Sequence, residues 1–304
     1  GTLVGGTIST TILRSSTTSF YDSTNGAIFD SQGNALTLDQ PLVTDPALGG
    51  APDGGLTKLG AGSVTLSAVN TYTGPTAVSN GTLVVNGVVG NGAVSVGAGA
   101  TLVGSGVIGG PVTVNSSGVL NVGGVATNVL TINNALTFMP GSTNVAIISS
   151  TNGTADLVTG ITTANYAGTL QVYDLVSPSS PTNGQTFQIF NASSATGNFT
   201  SIIPAPSAGQ GWSFNPTNGV LTFISTVNTS PTDITATVSS GNLTLYWPSS
   251  HTGWRLLEQT NNLDLGVSSN PNDWGTVSGS TITNQMTIPI DPAMPGDYYR
   301  LVYP

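Results

Sequence analysis

The chain has 304 residues, 38% of them hydrophobic, enough for one large domain or two ordinary ones with packed cores. Only 6% are charged, with 4 Lys+Arg against 13 Asp+Glu and a formal net charge of -9, which excludes the clustered cations that bind nucleic acid or anionic membranes. One His, one Lys and no Cys leave no disulfide framework, thiol nucleophile or histidine metal site, and disfavour most enzyme chemistry.

Residues 1–20 begin Gly-Thr-Leu-Val-Gly-Gly-Thr-Ile-Ser-Thr-Thr-Ile-Leu-Arg, a β-prone stretch in which Val4, Ile8 and Ile12 share one face by alternation. Gly1 in place of Met, together with the composition, favours an exported chain. No apolar run of about 18 residues crosses a membrane as a helix. The N-terminal segment 1–53 is expected either to cap the molecule as its first coil or to add as a strand to a neighbouring copy. It also holds Asp22, Asp30, Asp39, Asp45 and Asp53, the densest acidic stretch. Such oxygens suit a hard cation such as calcium. They match no EF-hand loop or nonapeptide array, so turn-forming aspartates are the favoured reading and no metal or cofactor is assigned.

From 54 to 226 short strand signals follow one another, each closed by glycine or asparagine. Examples are Gly81-Thr-Leu-Val-Val-Asn-Gly87, Gly92-Ala-Val-Ser-Val-Gly97, Gly99-Ala-Thr-Leu-Val-Gly104, Pro111-Val-Thr-Val-Asn115 and Gly118-Val-Leu-Asn-Val-Gly123. A strand about every ten residues leaves no room for crossover helices and predicts an all-β fold. A meander of hairpins would carry charges on its outer face, whereas the outward positions here are Thr, Ser, Asn and Gly. Those residues suit a β-solenoid, in which like stacks on like at about 4.8 Å and a column of equal charges would repel. Leu83, Val85, Val94, Val96, Leu102, Val112, Val114 and Leu120 are predicted to face inward.

The stretch from Leu56 to Gly87 carries a Lys-Leu-Gly-Ala-Gly block, an Asn-Thr-Tyr-Thr-Gly turn and a Gly-Thr-Leu-Val-Val strand in that order. In this it resembles the autotransporter-associated β-strand repeat, also called the passenger-associated transport repeat. Looser similarity continues downstream. The resemblance implies a right-handed parallel β-helix in a secreted bacterial surface protein and brings no catalytic residues. The family's outer-membrane barrel has no counterpart in the residues after Ser230, which are too few for its many amphipathic strands.

A polar linker at 227–232 leads to a segment, 233–304, with five strand signals: 234–238, 242–247, 254–259, 285–290 and 298–303. A Trp-containing strand, then a Leu-Glu-Gln-Thr strand, then a final Tyr-Arg-Leu strand resemble the immunoglobulin-like or fibronectin-like modules of secreted bacterial surface proteins. His251, in a turn without a second His or Cys, reads as a solvated loop residue. Gly104, Gly106 and Gly109 form a Gly-X-Gly-X-X-Gly string with neither a following helix nor an acidic ribose partner, so no dinucleotide site is assigned. Trp212, Trp247, Trp254 and Trp274 are candidate sugar platforms; core packing is the favoured role, and Trp274, in a loop, is the best ligand candidate.

The expectation is therefore a right-handed parallel β-helix followed by a small antiparallel β-sandwich, extracellular at a bacterial surface, without catalytic residues, cofactor, nucleic-acid partner or membrane insertion. Its expected partner is itself, with Val4, Ile8 and Ile12 in the contact, and surface glycans at Trp274 are the second candidate partner. The alternatives are a monomeric carbohydrate-binding stalk and a polysaccharide lyase with an Asp-lined groove.

Overall fold

Alternating apolar and small polar residues dictate the architecture of the chain, and a computed structural model shows how the strands stack. It describes residues 2–4, 14–15, 20–123, 126–175, 181–204, 209–225, 227–261, 264, 266–294 and 296–303. Among these there is no α-helix. The chain divides into two compact units, Gly1–Pro204 with Ser213–Phe223, and Ala205–Trp212 with Ile224–Pro304.

The first unit is a parallel β-solenoid with three faces. On the first, Ala27–Asp30, Leu56–Leu59, Thr76–Val78, Val94–Val96, Val112–Val114 and Leu136–Phe138 pair in parallel, in that order. On the second, Ala35–Leu38, Ser63–Leu66, Gly81–Val85, Ala100–Val103, Val119–Asn121, Thr143–Ser149, Thr169–Asp174 and Ser201–Ile203 do the same. On the third, Val88–Val89, Val107–Ile108 and Val129–Ile132 stack. The long strand Leu157–Tyr166 pairs with the third face through its start and with the first through Ala164 and Asn165, which joins these two faces into one twelve-stranded sheet.

Register follows the pleat. Val94 sits on Val112 and Val112 on Leu136, while Ser95, Thr113 and Thr137 form the outward column beside them. All eight residues predicted to face inward are buried, none more than 2% exposed. The step between stacked residues is 18 from Val94 to Val112, 24 from Val112 to Leu136 and 28 from Leu136 to Ala164, so the coils lengthen from Val94 onward. Aromatic rings fill the wider last coils: Tyr166 lies 5.0 Å from Phe190, and Phe199 lies 5.1 Å from Phe214.

Within the segment 1–53, Ala27–Asp30 and Ala35–Leu38 are coil strands, paired with Leu56–Leu59 and Ser63–Leu66, as a first coil of the solenoid would be. Ala27 and Phe29 alternate inward as later strands do. The rhythm is hidden because that coil is long: Ile28 stacks on Thr57, with the turn Pro46–Leu48 inserted between.

The second unit contains two three-stranded antiparallel sheets. One orders Thr235–Ser239, Asn242–Tyr246 and Gln285–Pro289; the other orders Gly275–Thr276, Arg255–Thr260 and Asp297–Val302. Leu245, Trp247 and Leu256 form its core, with Leu243, Met286, Ile288, Tyr299 and Leu301 packed around them from both sheets.

Candidate functional site

Alternation along Leu56–Leu59 turns Leu56 and Lys58 inward and leaves Thr57 and Leu59 at the surface. The chain's single lysine is thereby fully buried. Its ammonium satisfies itself on three backbone carbonyls, Leu59 at 2.7 Å, Gly60 at 2.8 Å and Asn80 at 3.1 Å. Burial lowers its pKa, and nearby Asp30 pulls in the opposite direction. Twelve residues on, Asn70 does the same work with an amide. Its Oδ1 accepts the Leu42 N–H of the preceding coil at 2.9 Å, while its Nδ2 donates to Ala68 in its own coil and to Val88 in the next. Tyr72 is buried beside it, with its hydroxyl 2.5 Å from Thr76 Oγ1.

The turn that follows, Thr73-Gly74, closes on Asp53. This carboxylate accepts the Thr73 N–H at 2.7 Å, the Gly74 N–H at 2.7 Å, the Gly55 N–H at 3.0 Å and the Thr73 hydroxyl at 3.1 Å, and also receives the Thr44 hydroxyl. Burial pushes its pKa up, but these donors outweigh burial and hold it below the usual carboxylate range. Asp22 lies against Asp53 with no solvent exposure. Neither of its oxygens receives a well-formed hydrogen bond. Desolvation first, then the charge of Asp53, push the Asp22 carboxyl up to about 7.

These residues make a joint between coils, closed to any substrate. Lys58, Asn70 and Asp53 each supply side-chain atoms where the bend of the chain leaves backbone groups without ladder partners, and a buried backbone group left unpaired is costly. Of the five aspartates noted in the sequence, Asp22 and Asp53 come together. Asp45 caps the Pro46–Leu48 turn through the Ala47 N–H, and Asp30 accepts the Gln32 N–H. Among the described residues no three His, Asp or Glu side chains converge.

The other sequence candidates are dispersed. Val4 ends the strand Thr2–Val4, which pairs in parallel with Ala27–Asp30 of the same chain; Ile8 and Ile12 lie outside the described residues. Trp274 is half-buried, with its Nε1–H donated to the Ser268 carbonyl at 3.0 Å and the Arg300 guanidinium 4.1 Å from its ring centre. One ring face is thus occupied by a cation. His251 lies in the turn expected for it but is buried and not solvated, because Nε2 pairs with the Ser230 carbonyl at 2.8 Å and the ring packs 5.1 Å from Trp254. Trp247 and Trp254 are core residues. In the Gly-X-Gly-X-X-Gly string, a Cβ on Gly104 would meet the Val85 carbonyl at 2.1 Å and one on Gly106 the Gly87 carbonyl at 2.1 Å. Those glycines admit the neighbouring coil.

Residues 56–85 match the passenger-associated-transport-repeat family. Comparison with curated proteins gives no match. The matched stretch contains Lys58, Asn70, Tyr72 and Thr73, so the repeat's polar residues are the ones that fasten its coil to its neighbours. Sequence reading found the repeat but not the role of these side chains. Nothing in the linear pattern shows that Lys58 falls on the inward phase until the strand's bounds are known. Asp22 and Asp53 stood out as members of an acidic stretch, but no spacing shows that these two of the five meet, Asp22 from the end of the strand Phe20–Asp22 and Asp53 from a loop.

Proposed function

We propose that the chain is an extracellular structural protein of the bacterial surface, a passenger-type solenoid that works without catalysis and assembles with copies of itself. The observation that carries this reading is the transport repeat at 56–85, set in register within a continuous stack of parallel coils. No described helix is long and apolar enough to cross a membrane. The sheet ends support self-association. Among the described residues, Thr2–Val4 and Ala35–Leu38 are outermost strands at one end, and Ser201–Ile203 is outermost in its sheet at the other. Outermost strands present unpaired N–H and C=O groups that accept another strand. A head-to-tail contact of this kind repeats into an open filament. The C-terminal unit fits the role of an immunoglobulin-like module. Electron microscopy of the purified full chain is expected to show filaments, and deletion of residues 1–14 to yield folded monomers that no longer elongate. Filaments unchanged by the deletion, or a monomeric intact chain at high concentration, overturn the assembly.

A further inference from the structure

The buried carboxyls at the start of the solenoid do more than close a turn. Asp22 ends the strand Phe20–Asp22, which pairs in parallel with Leu42–Thr44, and its carbonyl accepts the Asp45 N–H at 2.8 Å. Asp53 gathers donors from Thr44, Gly55, Thr73 and Gly74. The pair therefore sits where three successive passages of the chain meet: the 20–22 strand, the 44–55 loop and the repeat's own Thr73-Gly74 turn. The donors gather on Asp53, whereas the two oxygens of Asp22 are fully buried without well-formed partners, the Gly55 N–H giving Asp22 only a weak opposing pull. The Gly55 N–H is directed at Asp53, at 3.0 Å. Two ionised carboxylates buried side by side repel, whereas one proton turns Asp22 into a donor to Asp53 and removes the repulsion.

We propose that Asp22 and Asp53 form a single-proton latch that ties the N-terminal strands to the transport-repeat coil and releases them when the proton is lost. Asp53 is the ionised acceptor and Asp22 the proton carrier. Among the described residues, the other titratable group facing Asp22 is Tyr72 across the coil, which stays neutral because burial raises its pKa. Asp45 turns its carboxyl away to the Ala47 N–H. The direction of the switch follows from linkage. Asp22 holds its proton more tightly in the closed latch than at its ordinary value of 3.8, so the closed state is fully favoured below about pH 4, loses ground as pH rises, and has lost this contribution above about 7. Asp53, held low, works in the opposite sense only under more acidic conditions.

Hydrogen exchange of the full chain, corrected for the intrinsic pH dependence of exchange, tests this. Opening of residues 20–30 is expected to increase roughly tenfold per pH unit between 5 and 7 and to level off above, while the coils around Val112–Val114 do not respond. In Asp22→Asn, whose amide donates to Asp53 at every pH, the 20–30 region is expected to stay protected throughout. A carboxyl NMR titration of the unmutated chain reads the proton directly and does not depend on the variant folding. Titration of Asp22 near 4, or the same exchange profile in both proteins, overturns the latch. Protection restored at pH 7.5 by calcium alone also overturns it, in favour of a cation between the two carboxylates.

Discussion

At the scale of single residues, two buried polar side chains in the solenoid have opposite consequences. Lys58 is surrounded by carbonyls and uses all three of its donors, so Lys58→Met takes the donor from the Gly60 and Asn80 carbonyls, while that of Leu59 keeps the Ser31 N–H. A loss of about 3 kcal/mol or more is expected. Asn144 stands in the inward column Val64, Leu83, Leu102, Leu120, Asn144, Leu170, where every other member is aliphatic. It is 1% exposed and its Oδ1 has no partner. Asn144→Leu continues the column and removes an unmatched acceptor, for a gain of about 1–3 kcal/mol. Chemical denaturation of both variants beside the unmutated chain checks the contrast; equal losses in both would mean that Asn144 is held by interactions as good as those of Lys58.

At the scale of elements, the corner before the first-face strands Thr76–Val78, Val94–Val96 and Val112–Val114 is a column of glycines, Gly74, Gly92 and Gly110. A Cβ on Gly92 would lie 1.9 Å from the Gly74 carbonyl oxygen, and one on Gly110 would lie 2.0 Å from that of Gly92. Backbone cannot yield as a flexible side chain does, so Gly92→Ala must push neighbouring coils apart. It is expected to lower the melting temperature and raise exchange in Val94–Val96 and in the strands paired with it, Thr76–Val78 and Val112–Val114, before more distant coils, because a solenoid's stability is close to a sum of nearest-neighbour terms. Unperturbed exchange in those three strands would mean that the corner has room the backbone geometry denies it. The parallel stack itself was most legible in the sequence between 56 and 123, where the coil step is short and glycine or asparagine closes the strands. It was not legible before 54, where the long coil between Ile28 and Thr57 breaks the rhythm. In the C-terminal unit all five predicted strands exist, because Pro, Gly and Asn punctuate them; only the two-residue strand Gly275–Thr276 lacked a pattern to read. Site chemistry was harder: His251 looks like a loop residue until the Ser230 carbonyl is found opposite its ring.

At the scale of the whole molecule, the scarcity of charge has one cause in each unit. The outward columns of the solenoid repeat Thr and Ser on Thr and Ser, as at Ser95, Thr113 and Thr137, where identical charges would face each other at every coil. The sandwich is built on aromatic and aliphatic anchors, with its few charges at strand surfaces such as Glu258 and Asp297. Each unit has its own buried core, Val96, Leu102, Val114 and Leu120 in one and Leu245, Trp247 and Leu256 in the other, so the two are expected to unfold in separate transitions. Calorimetry of single variants separates them. Val114→Asp buries a carboxylate with no partner in the solenoid, and Trp247→Ala opens a cavity in the sandwich at a cost of about 3–5 kcal/mol. Val114→Asp should lower the solenoid transition alone, and Trp247→Ala the sandwich transition alone, the latter by more than 10 °C at roughly 4–8 °C per kcal/mol for a domain of that size. A single transition shifted by both variants would show that the two cores melt as one cooperative body, and the second unit would then be part of the solenoid's stability and not a module carried by it.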